Sequence, residues 1–538
     1  MVVTARARAA NEDAATSSLF SDKPTTEILR STNTSELVIA LCGPIGSPLH
    51  EVATTISSAL TGPYGYDSCL VIRLSEFIKS HADKVGGELV IPGGPKAKRV
   101  EALIDAGDKM RDQFGASVLA DLAVSEIRLD REKNGRIKEG DQFISRRVCH
   151  IIDSIKNQAE LDLLREVYRE VLYVVGVFSP VSARERKMTS EGFESEKIHF
   201  LMEKDAAGDA PHGQTVGDTF PQSDFFLRME TSSTADLTLR VNRFLDLVLG
   251  TKIITPTSDE SAMYAAASAA SGSACLSRQV GAAVTDKSGA VLAVGWNDVP
   301  KPFGGLYSTD HENDPMGLKD LRCYNKGGGK CFNDEEKDLL AESLIESLGS
   351  DIIPASKQAQ AKSRLTDNRK VKGLIEFSRA IHAEMHAILN ALRVGGERVS
   401  GGSIFVTTYP CHACARHIIA AGISNVYYIE PYKKSLATKL HDDAITEDES
   451  DDKLVRLLPY EGVAPTRYLS FFKMLSNSRK SNGRLIQITS KNARPRAEKS
   501  LQSMPELESM VVKSLVARGI LPDVATVTSG TGDGPKAA

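Results

Sequence analysis

Short apolar runs alternating with amphipathic helical stretches constrain the first half of this chain more than any other feature. Glu36-Leu-Val-Ile-Ala-Leu41 is one such run; a turn at Gly43-Pro-Ile-Gly-Ser47 and a helical spacing through Val52, Ile56 and Leu60 follow it. Cys69 to Leu74, Val148 to Ile152 and Val171 to Phe178 repeat the strand pattern, and Ala159 to Val167 the helical one. That alternation implies a parallel α/β sheet.

A chain of 538 residues is too long for one ordinary core. Thr255-Pro-Thr-Ser-Asp-Glu260 supplies turn and helix-start chemistry before an Ala-rich helix from Ser261, and the domain boundary falls there. The expected division is a disordered tail over 1–32, a first domain over 33–252, a second over 253–480 and a C-terminal tail over 481–538, in which Pro505 to Arg518 has one amphipathic helical spacing. The second domain opens helix, strand, strand, with Val280 to Thr285 and Val291 to Trp296 joined in a hairpin through Asp286-Lys-Ser-Gly289. A polar stretch from Pro300 to about Lys372 is too long for a connection and reads as a functional insertion. Helix Ile375 to Leu392, strand Ser403 to Thr408, helix Cys411 to Ala421 and strand Asn425 to Ile429 follow.

Lys+Arg (66) and Asp+Glu (70) leave a formal net charge of -4, so no overall basic surface exists to hold long nucleic acid. The opening residues lack the apolar run of a secretory signal, and no stretch reaches the roughly 18 apolar residues of a membrane span. A cytoplasmic protein without membrane contact is expected. Eight cysteines then point to metal or buried thiols rather than disulfides.

The chemistry concentrates in two segments. Ile381-His-Ala-Glu-Met-His-Ala387 reads as one helix, and Tyr409-Pro-Cys-His-Ala-Cys414 lies where a strand turns into the next. Together they give His-x-Glu and Pro-Cys-x-x-Cys, the signature of the zinc nucleobase deaminases, in which one His and two Cys bind Zn²⁺ and the Glu is not a ligand. His382, Cys411 and Cys414 are therefore the metal ligands, with Zn²⁺ the cofactor, and Glu384 the catalytic proton carrier. Cys411 and Cys414 open a helix whose positive end favours their thiolates. Two thiolates and one imidazole leave a fourth position open, as a catalytic zinc requires. A closed structural zinc, or buried thiols and a core histidine, would explain either half of the motif but not both in order. A helical His pair with His386 fails, because Ala383 rather than Glu follows His382.

Ser277-Arg-Gln-Val-Gly-Ala-Ala283 and Gly295-Trp-Asn-Asp-Val-Pro300 resemble the opening strands of the cytidine/deoxycytidylate deaminase family, as do the insertion and Tyr428-Ile-Glu-Pro-Tyr-Lys-Lys-Ser435. The resemblance implies a three-layer α/β/α domain and a sugar-holding role for Asn297. Arg278 is read either as a substrate-phosphate contact or as a strand cap, and Trp296 as a core or a pocket aromatic. Cys323 and Cys331, with His311, are candidates for a second metal, and Lys433 and Lys434 for phosphate contacts or a solvated loop.

In the first domain, Gly43, Pro44, Ile45, Gly46 and Ser47 resemble the P-loop of nucleotide kinases, with Pro48-Leu-His50 where Gly-Lys-Ser/Thr should stand. Asp153 ends a strand as a Walker-B acid would, and Ser182-Ala-Arg-Glu-Arg186 resembles an arginine lid. Without the lysine, a regulatory nucleotide or a structural role fits better than phosphoryl transfer.

A kinase-like domain joined to a deoxycytidylate-type deaminase resembles the bacterial anti-phage dCTP deaminases over nearly the whole chain. That resemblance implies conversion of dCTP to dUTP, and of dCMP to dUMP, as an antiviral defence. It also implies a homo-oligomer and a restraint on activity, through a nucleotide, an RNA or a protein. The competing readings are a housekeeping dCMP deaminase, a tRNA or single-strand DNA editing deaminase, and a zinc-stabilised binding module.

Overall fold

A computed structural model describes residues 24–86, 95–135, 143–206, 215–229, 234–431, 435–474, 479–497 and 499–522. Its first sheet holds β1 (Leu37–Cys42), β2 (Ser68–Arg73), β3 (Val148–Ile155), β4 (Leu172–Phe178) and β5 (Phe225–Arg228), in the order β5-β4-β1-β3-β2 with every pair parallel. Alternate residues of β1 face opposite layers. Val38, Ala40 and Cys42 pack with Leu119, Ala123 and Ile127 of helix Val118–Asn134, and Leu37, Ile39 and Leu41 with Val52, Ile56 and Leu60 of helix Leu49–Thr61. Both faces being covered explains why the strand reads as a continuous apolar run. Each fully buried Leu or Ile contributes about 1.5–3 kcal/mol.

The second sheet holds β6 (Gly281–Thr285), β7 (Val291–Trp296), β8 (Ser403–Thr408), β9 (Asn425–Glu430), β10 (Ile445–Thr446) and β11 (Val455–Pro459), in the order β10-β11-β9-β8-β6-β7. β6 pairs antiparallel with β7 and β8, and the rest are parallel. In the β6–β7 turn, Asp286 Oδ1 accepts from the amides of Ser288 and Ala290 at 2.9 and 3.1 Å. Helix Ser258–Ala270, opened by a capping box of Thr257 and Glu260, packs on the face carrying Ala283 and Phe405. The opposite face, with Ala282, Val284 and Val406, meets Ala383, Ala387 and Ala391 of helix Ala383–Gly395 and Ala415 and Ile418 of helix His412–Ala420. The domain is thus three-layered. Gly295 permits the close approach: a Cβ there would sit 2.3 Å from the Ala387 amide nitrogen.

After β11 the chain returns to the first sheet, where β12 (Gly462–Val463) pairs antiparallel with β5. The segment expected to be a C-terminal tail contributes helix Ser503–Ala517, whose Met504, Val511 and Leu515 join the core around Val118–Asn134. Its apolar stripe and Glu508, bonded to Arg131 at 2.9 and 3.0 Å, account for this docking. At the other end, Thr25–Ser31 is helical, and Asn33 bridges to Ser500. Residues 1–23 and 523–538 of the expected tails lie outside the described residues. No helix among the described residues is long and apolar enough to cross a membrane.

Candidate active site

His382 does not lie within a helix, as its spacing suggests, but at the N-cap of Ala383–Gly395, with extended backbone (φ -76°, ψ 153°). The preceding residue explains the difference. The Ile381 amide donates to the Asp298 carbonyl at 3.0 Å, so tertiary pairing with the end of β7 holds that segment extended. Cys411 is likewise the N-cap of its helix, and its sulfur accepts from the Cys414 amide at 3.4 Å.

These two helix starts face each other. His382 Nδ1 lies 3.4 Å from Cys411 Sγ and 3.3 Å from Cys414 Sγ, and the three ligand atoms lie within 4.8 Å of one another. Tetrahedral zinc, with bonds of about 2.1 Å to nitrogen and 2.3 Å to sulfur, sets such edges near 3.6 Å. The donor set and its spacing fit Zn²⁺. A hydrogen bond from Cys414, aided by His382, lowers the Cys411 thiol to about 4, and Cys411 in turn pushes His382 up to about 9. Cys414 keeps its proton, raised by its bond to Cys411 and by burial. Such a charge-separated cluster exchanges its protons for a divalent cation.

Glu384 lies in the first turn behind His382 and is 4% exposed. Burial raises its carboxyl, opposed by His382. A buried carboxyl raised from its ordinary value, beside a metal site, is suited to general acid–base work.

Asn297 is 8% exposed, and both ends of its amide bond to backbone: Oδ1 accepts from Val280 N at 2.7 Å and Nδ2 donates to Arg278 O at 2.8 Å. It therefore shapes the 278–280 entry to β6. Arg278 extends from that entry to Glu430 at 2.9 Å, and Glu430 also accepts from the Thr408 hydroxyl at 3.1 Å. Sequence reasoning missed Glu430. It also missed Tyr409, whose hydroxyl donates to Glu447 at 2.9 Å beside the Pro410-Cys411 turn. The signal for Tyr409 was its place beside the Cys motif, and for Glu430 its place in the Tyr428–Ser435 segment.

Trp296 packs edge-on against His386, ring centroids 4.9 Å apart, and burial lowers the His386 pKa. The insertion is anchored to the site by Arg322, which bonds Asp320 and lies 3.6 Å from Asp298. Cys323, Cys331 and His311 are not gathered into a metal-binding group among the described residues. Cys331 instead contacts the Ser277 hydroxyl at 3.5 Å, and Cys323 contacts Arg379. Lys433 and Lys434 lie outside the described residues.

Gly43–Ser47 follows β1 in the other sheet, apart from the zinc ligands in sequence and in the element that carries it. Arg184, expected in a mobile lid, is 8% exposed and donates to the carbonyls of Ser179 and Ile45 at 2.9 and 3.2 Å. It is a wedge against the loop.

Residues 256–430 match the family model of the cytidine and deoxycytidylate deaminase zinc-binding region, a span that includes His382, Glu384, Cys411 and Cys414. Part of the chain is similar to the ComE operon protein 2 of Bacillus subtilis, 43% identical over 84 residues, which is 15% of this chain and 44% of that protein. It is also similar to the deoxycytidylate deaminase of Enterobacteria phage T4, 28% identical over 163 residues, 30% of this chain and 72% of that one. The dCMP deaminase of cyanophage S-TIM5, solved with dCMP and dUMP, aligns with 38% of this chain and 99% of its own at 19% identity and a TM-score of 0.22. The chain thus spans less than half the length of the Bacillus relative. Residues 256–430 are thus similar to a zinc-binding region, and His382, Cys411 and Cys414 are a ligand set for Zn²⁺.

Proposed function

We propose that the chain is a hydrolase that deaminates the cytosine of free deoxynucleotides, converting dCTP to dUTP and dCMP to dUMP. One observation carries the reading: a buried acid, Glu384, stands in the first turn of the helix that presents His382 to Cys411 and Cys414. A structural zinc needs the ligands but not that carboxyl.

His382, Cys411 and Cys414 would hold the zinc, which supplies Lewis acidity that makes water a nucleophile near neutral pH. Glu384 takes the proton of the attacking water and delivers it to N3 of the ring. The hydroxyl oxygen adds at C4; Glu384 then takes the second proton from that oxygen and passes it to the amine as the C4–N bond breaks, leaving ammonia and a uracil base. Asn297 fixes the 278–280 entry against which the sugar would lie, and Arg278, nearly half exposed, would face the phosphates.

The resemblance to anti-phage dCTP deaminases supports dCTP depletion as a defence, and a kinase-like first domain as the place of restraint. The phage relatives named deoxycytidylate deaminase favour dCMP instead. Net charge of -4 weighs against a polynucleotide substrate.

Ammonia release from deoxycytidine, dCMP, dCTP, CTP and a cytosine oligonucleotide, by zinc-loaded full-length protein, separates these readings. Turnover of dCTP or dCMP, lowered about 10²- to 10⁴-fold by Glu384→Gln at unchanged zinc content, is expected. No turnover of any substrate, or equal turnover by Glu384→Gln, would overturn the proposal.

A further inference from the structure

The loop at the end of β1 departs from a phosphate loop by lacking its lysine, yet the fold brings an ammonium to the same place. Lys156 follows β3, and its Nζ donates to the Gly43 carbonyl at 2.8 Å. The same Nζ donates at 2.8 Å to Oδ1 of Asp205, while Oδ2 of that carboxylate accepts from the Ile45 amide at 2.7 Å. Asp205 is 2% exposed and comes from the end of helix Ser195–Ala206. One carboxylate thus joins a loop N–H to an ammonium, the two kinds of donor that together cradle a phosphate oxygen.

Three further observations mark the loop as built for a ligand. The Ser47 hydroxyl is buried and has no hydrogen-bond partner among the described residues, and the residue is only 8% exposed. Gly43 is pressed so closely on β4 that a Cβ would sit 2.2 Å from the Val177 carbonyl oxygen, which fixes the loop's path. Arg184 closes the other flank through the Ile45 carbonyl, so the loop lies between two cations, and Asp205 is the one acid bonded to it among the described residues. Beyond the loop, His50, Arg73 and Asp153 form their own group, with His50 3.8 Å from Asp153 and Arg73 hydrogen-bonded to His50.

We propose that Gly43–Ser47, Lys156 and Arg184 form a phosphate site that the chain occupies itself, with the Asp205 carboxylate in the place of the anion. A phosphate group enters only by displacing that carboxylate, so Asp205 is a plug and Lys156 supplies the missing cation. The proposal is independent of the deamination chemistry. Its ligand chemistry, a phosphate group, comes from either a nucleotide or free phosphate.

The test measures binding of orthophosphate, pyrophosphate and ATP to zinc-loaded full-length protein by calorimetry; none of these carries cytosine. Asp205→Asn, which keeps the plug's shape and removes its charge, is expected to bind at least one of them at least tenfold more tightly than the native chain. Adding Lys156→Met should erase that gain. Tightest binding of ATP assigns the phosphate to a nucleotide, and tightest binding of orthophosphate or pyrophosphate assigns it to a free anion. Asp205→Ser, which also keeps an acceptor, serves in the same comparison if the asparagine variant fails to fold, with zinc content and Trp296 fluorescence as the folding controls. Equal affinity in the native and plug-neutralised proteins, or a gain that survives Lys156→Met, would overturn the proposal.

Discussion

Replacing Arg131 with methionine tests how firmly the C-terminal helix is tied to the first sheet's core. The Arg131 guanidinium is 1% exposed; Nε and Nη2 donate to the two oxygens of Glu508 at 2.9 and 3.0 Å, and Nη1 donates to Glu36 at 2.6 Å. Glu36 and Glu508 are 2% and 0% exposed. Removing the cation leaves two buried carboxylates uncompensated, which costs about 3–5 kcal/mol. Glu508→Gln leaves the Arg131–Glu36 pair intact and weakens two charge-assisted bonds, a loss of about 2 kcal/mol. At 1.36 kcal/mol per decade, amides of Ser503–Ala517 should exchange with solvent at least about a hundredfold faster in Arg131→Met and about thirtyfold faster in Glu508→Gln. A triple variant, Glu36→Gln, Arg131→Met and Glu508→Leu, removes every charge and should recover most of the protection. Hydrogen exchange read by mass spectrometry resolves these peptides, with helix Ala383–Gly395 as an internal reference. Native protection of Ser503–Ala517 in Arg131→Met, or a triple variant weaker than the single one, would refute the reasoning.

Three other outcomes are expected. Cys414→Ser should lower the zinc content measured by atomic emission to background while helical circular dichroism persists, because the remaining two ligands cannot hold the metal. Asn297→Ala should lower kcat/KM for the preferred nucleotide about ten- to a hundredfold, from the loss of two hydrogen bonds of about 0.5–1.5 kcal/mol each, to the Val280 N–H and the Arg278 carbonyl; an unchanged value would remove Asn297 from the site. Asp130, held well below the usual carboxylate range by His150 and then by Arg146, stabilises the fold fully above the pKa of the unfolded chain, near 4. That stabilisation fades as pH falls toward the lower native value, so the gap in urea midpoint between the native chain and Asp130→Asn should be widest at pH 7 and shrink below about pH 4.

The long central strands were legible because apolar continuity decided them, whereas the short β5, β10 and β12 and the polar-interrupted β11 carry no such run. β7 and β8 match the sequence spacing residue for residue, and β1 to β4 differ by a few residues at their ends. The helix start at His382 was not, since Ile375 and Ile381 continue an apolar spacing that only the Asp298 carbonyl interrupts. The zinc ligands were readable because two short motifs carry them. Lys156 was not: the ammonium reaches Gly43 through strand order, which no local spacing records. Nothing in the local sequence marks Arg131 and Glu508 as buried, for the same reason. Each looks like a polar helix face until its partner, far along the chain, buries it.

Glu260 ties together the two sides of the boundary expected near Thr255. It is the N3 residue that closes the capping box of helix Ser258–Ala270, on which the second sheet packs. Both of its oxygens also accept from Arg243 of helix Thr234–Leu249 at 2.8 and 2.7 Å, and Oε1 accepts from the Val463 amide in β12 at 3.0 Å. A carboxylate 1% exposed therefore joins a first-sheet helix, the opening helix of the zinc-binding region and the strand that returns to the first sheet. Loss of this one group leaves a backbone N–H, a helix cap and a guanidinium unpaired together, so Glu260→Ala should loosen both sheets at once. Two lightly tethered domains would confine the damage to one sheet. Trp296, the single tryptophan, reports on the second sheet, and exchange in β4 and β5 reports on the first. Matching destabilisation by the two probes is the signature of one cooperative unit, and separated transitions would show that the shared carboxylate does not couple them.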